Sequence, residues 1–214
     1  MLHRAKGVFA ALTLLVLPFV AFAHETGEKH HDLTPAPEPQ AETSARVAPD
    51  FTLTDQNGKS VTLSELKGKI VVLEWTNPDC PYVKKHYDDY PTMVSTYNKH
   101  KGEDVVWLSI NSSHYNTPEA SKAFAEAHGL EYSILQDANG NVGRLYGAKT
   151  TPHMFVIDRQ GDIAYEGAID SLMHKDQDPV NYVDAAVTNL RNNEPVAIAY
   201  EKPYGCSVKF KTSS

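Results

Sequence analysis

The run Ile70-Val71-Val72-Leu73-Glu74-Trp75 constrains this chain more than any other segment. It is rich in β-branched and aromatic residues and shows little apolar–polar alternation. A strand with one face in water alternates, whereas a strand covered on both faces does not. The run therefore predicts a central strand, and helices must cover both of its faces. The flanking sequence supplies them. Residues 51–54 and 59–62 flank Gln56-Asn57-Gly58, a short hairpin signal. Thr62-Leu63-Ser64-Glu65 has capping-box spacing, and Gly68 ends that brief helix. After Cys80, the residues Val83, Tyr87, Tyr90, Val94 and Tyr97 fall on one helical face, with Pro91 set to kink or break it. Lys84/Asp88 and Lys85/Asp89 have i,i+4 spacing on the other side.

Further along, 104–110 is a second apolar strand. Thr117-Pro118 opens a helix that Gly129 closes. A short strand at 131–135 and a short helix at 140–146 follow. Strands at 153–158 and 163–167 enclose the turn Arg159-Gln160-Gly161. Asp178-Pro179 is expected to cap a last helix with Val180, Val183, Val187 and Leu190 facing the core. Strands alternating with helices, then a hairpin and a helix, predict an α/β fold. Its expected form is one mixed central sheet, helices on both faces, and an N-terminal β-hairpin extension.

The N-terminus reads as an export signal. Residues 1–7 carry Arg4 and Lys6 without an acid, 8–22 are almost wholly apolar, and Ala21-Phe22-Ala23 has the small-x-small pattern of a cleavage site. The apolar run is short for a span, which needs about 20 residues. The expected organisation is a signal peptide at 1–23, a flexible His/Pro-rich linker at 24–45, a folded domain at 46–195 and a tail at 196–214 that carries Cys206. The mature protein is then periplasmic or secreted, with no stable membrane span. A net charge of -7 excludes the basic footprint of a nucleic-acid binder. Two cysteines among 214 residues cannot form a disulfide scaffold.

Cys80 is the centre of the chemistry. It follows the central strand across Asn77-Pro78-Asp79 and precedes Pro81, which suits the first helical position. As helix N-cap, its sulfur would lie beside unpaired N–H groups, which lowers a thiol pKa. Lys84 and Lys85 would act in the same direction and Asp79 against them.

These residues carry a resemblance. The stretch from Ala48-Pro49-Asp50-Phe51 to Asp55, the Gly58-Lys59 turn, the corner from Trp75 to Pro81, and Thr151-Pro152 resemble the thioredoxin-like redoxins, including the alkyl hydroperoxide reductase/thiol-specific antioxidant proteins. Cys80-Pro-Tyr-Val-Lys-Lys-His86 and Pro203-Tyr-Gly-Cys206-Ser-Val-Lys-Phe210 are similar to a peroxiredoxin-like branch. The resemblance implies a thioredoxin-like fold, a reactive Cys80, and a cis-proline at Thr151-Pro152 facing it and exposing backbone groups to a bound thiol or peptide. It implies a peroxide or disulfide substrate, an external thiol reductant (thioredoxin-like or a small thiol) and no cofactor.

Departures accompany it. A dithiol motif would have Cys where Val83 stands, and some relatives carry a Cys where Asn77 stands. Typical peroxiredoxins have Thr at that Asn77 position. Arg144 and Arg159 are candidates for a cation beside the thiolate. For Cys206 three readings stay open: a resolving thiol for a Cys80 sulfenic acid, a permanent structural disulfide with Cys80, or no relation to it. The alternative function is a non-catalytic binding protein, holding copper or a protein partner, with Cys80–Cys206 as a structural bond. A Cys80–His153 pair would activate sulfur or hold copper, but copper-handling relatives add a second nearby Cys. The tract His24, His30, His31 with Asp32 is read as solvated linker rather than a metal site. His86 is expected to point away from Cys80, and His100, His114, His128 and His174 to lie at the surface. Trp75 and Trp107 read as core, and Asn111-Ser112-Ser113 matches a glycosylation acceptor.

Overall fold

The computed structural model describes residues 46–172 and 179–212. The expected signal peptide, the linker with its histidines, His174 and Asp178 lie outside them.

The chain builds a seven-stranded sheet, starting with the hairpin β1 (Thr52–Asp55) and β2 (Ser60–Thr62). Asp55 Oδ1 accepts the amides of Asn57 and Lys59 and so closes the turn, while Gly58 takes φ +83°. A 3-10 turn, Leu63–Leu66, leads into β3 (Ile70–Trp75). Every residue of β3 is buried, as the unalternating run predicts. Then come α1 (Pro81–Lys84), a π-helical turn (Lys85–Asp89), α2 (Thr92–His100), β4 (Val105–Asn111), α3 (Pro118–Ala127) and β5 (Ser133–Gln136). The remaining elements are α4 (Asn141–Tyr146), β6 (Thr150–Thr151), β7 (His153–Ile157), β8 (Ile163–Gly167), α5 (Tyr182–Arg191) and β9 (Cys206–Ser207).

The strand order is β2-β1-β5-β4-β3-β7-β8, and β6 with β9 forms a separate two-stranded ribbon. β3 runs parallel to β4 and antiparallel to β7. Alternation along β3 divides the core. Ile70 and Val72 pack under α2, α3 and α5 with Val83, Met93, Phe124 and Val187. Val71, Leu73 and Trp75 pack on the opposite face with Phe51, Val142, Tyr146 and Phe155. Each fully buried aliphatic side chain contributes about 1.5–3 kcal/mol, so the two layers hold the sheet from both sides. The expected mixed α/β sheet with helices on both faces is what the chain forms.

Several local expectations need correction. The helix after Cys80 is not one face from Val83 to Tyr97. The π turn adds a residue and Pro91 breaks the chain, so the buried face shifts by one: Met93, Thr96 and His100 are buried, and Tyr90 is 50% exposed. Asp88 pairs with His128 and Lys85 lies over the Tyr90 ring, in place of the expected i,i+4 pairs. Thr62 makes no side-chain cap; the Ser64 amide donates to Asp50 Oδ1. The last helix starts at Asn181, whose side chain accepts from the Asp184 amide, and Val180 is exposed. His100 is buried because Asp184 Oδ1, on α5, lies 2.6 Å from its Nε2. His86 and His128 are likewise drawn inward, whereas His114 is exposed. Asn111 is buried at the end of β4 and accepts the Ser113 amide, so the glycosylation match is closed to a glycan in the folded chain.

Candidate active site

The corner after β3 is built by short-range bonds. Asn77 Oδ1 accepts the Asp79 amide, the Cys80 amide donates to the Asn77 carbonyl, and Asn77 Nδ2 donates to Tyr115 Oη. Pro81 follows at the first helical position with Cys80 as N-cap. The sulfur is thus fixed by backbone on both sides, and Cys80 is 2% exposed. Val83, at the position of a missing second thiol, is fully buried in the core.

Thr151 and Pro152 stand against this corner. Their peptide bond is cis, and Cys80 Sγ donates to the Thr151 carbonyl oxygen at 3.0 Å. Cys206 arrives from the tail: β9 pairs antiparallel with β6, setting Cys206 opposite Thr151. The four residues singled out in the sequence, Cys80, Thr151, Pro152 and Cys206, therefore meet in space. Both thiols are unbonded.

Their protonation is complementary. Burial raises the Cys80 thiol, but its contacts with the Cys206 and Thr151 side chains and with the Val83 and Cys206 amides outweigh it, leaving Cys80 below the ordinary cysteine value. The Thr151 carbonyl favours the protonated form, so this lowering is a balance of opposed contacts. The neighbouring lysines are not among its principal causes. Cys206 shifts up, first through burial and then through its hydrogen bond to and charge repulsion from Cys80. One thiol is poised to lose its proton and the other to keep it.

Other candidates do not reach the sulfur. Arg144 is held by the carbonyls of Asn139 and Lys211 and lies over the Phe210 ring. Arg159 donates to the Leu190 carbonyl and faces Asp104 at the far end of the sheet. His153 is on the opposite sheet face from Cys80: it stacks on Phe155, and its Nδ1 accepts the Lys149 amide. The idea of a Cys80–His153 pair is therefore corrected by strand alternation. Among the described residues no cluster of metal-ligating side chains occurs.

Two polar groups near the site were not anticipated. Glu74 is fully buried in β3, where Tyr87, Trp107 and Ser109 donate to its carboxylate, and burial pushes its pKa up despite them. A lone acid inside an apolar strand run was the available signal. The second group joins the tail to the helix after Cys80: Tyr204 Oη lies 2.8 Å from His86 Nε2 and donates to Asp170 Oδ1. Only the nearness of Tyr204 to Cys206 in sequence hinted at it.

The tail itself is docked, although its sequence shows few packing signals. Glu166 exchanges backbone bonds with Ala199 and Glu201, Val208 donates to Lys149, and the His114 amide donates to Lys209. Val208 and Phe210 pack against the second core layer.

The chain is similar to known proteins. A family model, described as the AhpC/TSA family, matches residues 45–166. The thiol-disulfide oxidoreductase ResA of Bacillus thuringiensis subsp. konkukian is 30% identical over 121 residues, 56% of this chain and 67% of that protein. The chloroplastic peroxiredoxin Q of Gentiana triflora is 30% identical over 125 residues, 55% of each chain. Among solved structures, an uncharacterized conserved protein from Geobacillus kaustophilus superposes with a TM-score of 0.70 at 28% identity, covering 79% of this chain and 93% of that one. Fold and site together define a thioredoxin-like redoxin. The chain belongs to the AhpC/TSA family.

Proposed function

We propose that this protein is an exported, peroxiredoxin-like thiol oxidoreductase in which Cys80 attacks and Cys206 resolves. The observation that carries this reading is the contact between two unbonded thiols whose pKa values move in opposite directions. The Cys80 thiolate attacks the terminal oxygen of a hydroperoxide and the O–O bond breaks. The leaving alkoxide takes a proton to become an alcohol (water, for hydrogen peroxide), and Cys80 becomes a sulfenic acid. The Cys206 sulfur then attacks that sulfur, water leaves, and a Cys80–Cys206 disulfide forms. An external dithiol, thioredoxin-like or small, supplies two electrons and returns both thiols. The Thr151-Pro152 turn shapes the pocket. The signal-like N-terminus supports a location outside the cytoplasm, periplasmic or secreted.

The test is intact mass with thiol alkylation on reduced protein, before and after one equivalent of hydrogen peroxide, for wild type and Cys206→Ser. Wild type is expected to lose two hydrogens, and the variant to gain one oxygen on Cys80. Two free thiols persisting in wild type would overturn the peroxidase reading and favour disulfide exchange.

A further inference from the structure

The backbone edge beside the Cys80 sulfur is already occupied. Thr151 is both the residue whose carbonyl accepts from Cys80 Sγ and the residue paired with Cys206 across β6 and β9. An extended peptide offering its own cysteine sulfur to Cys80 would be held most directly as a strand added to this edge. The tail sits there instead, with a cysteine at the matching register, and leaves Cys80 2% exposed.

Two features hold it in place. Gly205 adopts φ +137°, and a Cβ there would collide with the Thr151 carbonyl, with its carbon only 2.7 Å away. Only a residue without a side chain lets the tail approach so closely. One residue earlier, Tyr204 is clasped by His86 and Asp170, 0% and 2% exposed.

We propose that residues 204–207 are an internal stand-in for a cysteine-bearing peptide strand, so that Cys80 reacts with small hydroperoxides and is closed to extended protein disulfides while the tail is docked. This rests on the reading of Cys80 as the attacking thiolate. In the excluded reaction, the thiolate would attack a peptide disulfide sulfur, the S–S bond would break, and the departing thiolate would leave a Cys80–peptide mixed disulfide.

The experiment compares Cys206→Ser with Cys206→Ser/Gly205→Val in the full chain, so that only Cys80 reports. The added valine Cβ would meet the Thr151 carbonyl, so the side chain wedges the tail from that residue. Each protein meets two probes: hydrogen peroxide, and a short unstructured peptide whose single cysteine carries a thionitrobenzoate leaving group. Released thionitrobenzoate and protein mass give the rates and products. The double variant is expected to form the peptide adduct about tenfold faster, as the fraction of chains with a free edge rises, while its peroxide rate does not rise, because undocking also removes the contacts from position 206 that hold the Cys80 thiol down.

Equal peptide rates in two reactive proteins would overturn the stand-in role and leave the nucleophile assignment intact. A peroxide rate that rises as much as the peptide rate would overturn it too, because the tail would then guard against every oxidant. Failure of Cys80 to react with either probe in either protein would remove the nucleophile assignment and this inference with it. Should the double variant not fold, Tyr204→Phe replaces Gly205→Val. A faster peptide reaction then supports the role, and an unchanged one rejects it.

Discussion

The two cysteines sit on regions held by different means. Cys80 follows a six-residue strand buried along its whole length and paired on both sides. Its corner is closed by bonds between residues two or three apart. Cys206 lies on a two-residue strand, fastened by a few backbone bonds, one tyrosine clasp and an arginine-covered phenylalanine. The first region cannot move without opening the core, whereas the second is detachable one fastening at a time. In the proposed reading, the pair combines a fixed nucleophile with a partner on a releasable support, an arrangement suited to a disulfide that forms and breaks in turn.

This contrast can be broken or sharpened by experiment. The largest effect belongs to the fixed region: Cys80→Ser should lower peroxide turnover with an external dithiol by about 10³-fold or more, since the nucleophile and its resolver act as a unit. Turnover near wild type would move the chemistry elsewhere. Trp75→Ala should cost about 3–5 kcal/mol in urea unfolding, as a large side chain leaves the centre of the second core layer. Phe210→Ala in the tail should cost less, about 1–2 kcal/mol, as its partly buried packing on the second core layer and its contact with Arg144 are lost. Equal losses at the two sites would mean that the tail is as integral as the sheet.

Glu74→Gln tests the fixed region against pH. Burial raises the Glu74 pKa in the folded chain, so the protonated form is favoured there. Its contribution is fully present below the ordinary value of 4.5 and is lost as pH rises through the folded value. The glutamine variant should therefore gain on wild type as pH increases, by about 1–3 kcal/mol at neutrality. A constant difference between pH 4 and 8 (roughly the span on either side of the expected change) would show that Glu74 stays ionised.

The smallest effect concerns the clasp. Burial lowers the His86 pKa, with Lys85 acting in the same direction and the Asp170 carboxylate against it. Undocking the tail removes part of the burial that lowers His86 while the Asp170 carboxylate stays beside it, so the imidazole takes its proton more readily undocked than docked. Docking therefore weakens as pH falls through the docked value. Hydrogen exchange at the Glu201 and Val208 amides, corrected for intrinsic rates, should gain on that of Val72 and Leu73 as pH is lowered from 7 to about 5. Parallel behaviour of the two sets would show that His86 does not report on the tail.

The sheet and the Cys80 corner were legible because their causes are local. An unalternating β-rich run, a Cys-Pro at a strand end and a Thr-Pro before a strand each act within a few residues. The helix phase after Pro91 was not legible, because a π turn adds one residue without any compositional mark. The burial of His100 and His86 escaped for another reason. Their partners, Asp184 and Tyr204, are 84 and 118 residues away. The tail was least visible, since its closest approach depends on a side chain that Gly205 does not have. At Gly167 the same holds: Glu201 backbone fills the space a Cβ would need. Periodicity counts the side chains present and is silent on contacts made by their absence. Cys206 was visible as a candidate, yet its place opposite Thr151 required the fold.

The tail is also made well after the corner that it covers. β3, α1 and β7 are complete by Ile157, and a ribosome must add a further 49 residues before Cys206 exists. Domains begin to organise during synthesis from the N-terminal side. For that interval Cys80 would stand at a formed corner with its edge unpaired, and its cover would arrive only with residues 204–207. A chain truncated before Tyr204 would thus keep the seven-stranded sheet and Cys80 while losing the cover, turning an ordinary synthesis error into an unguarded thiol.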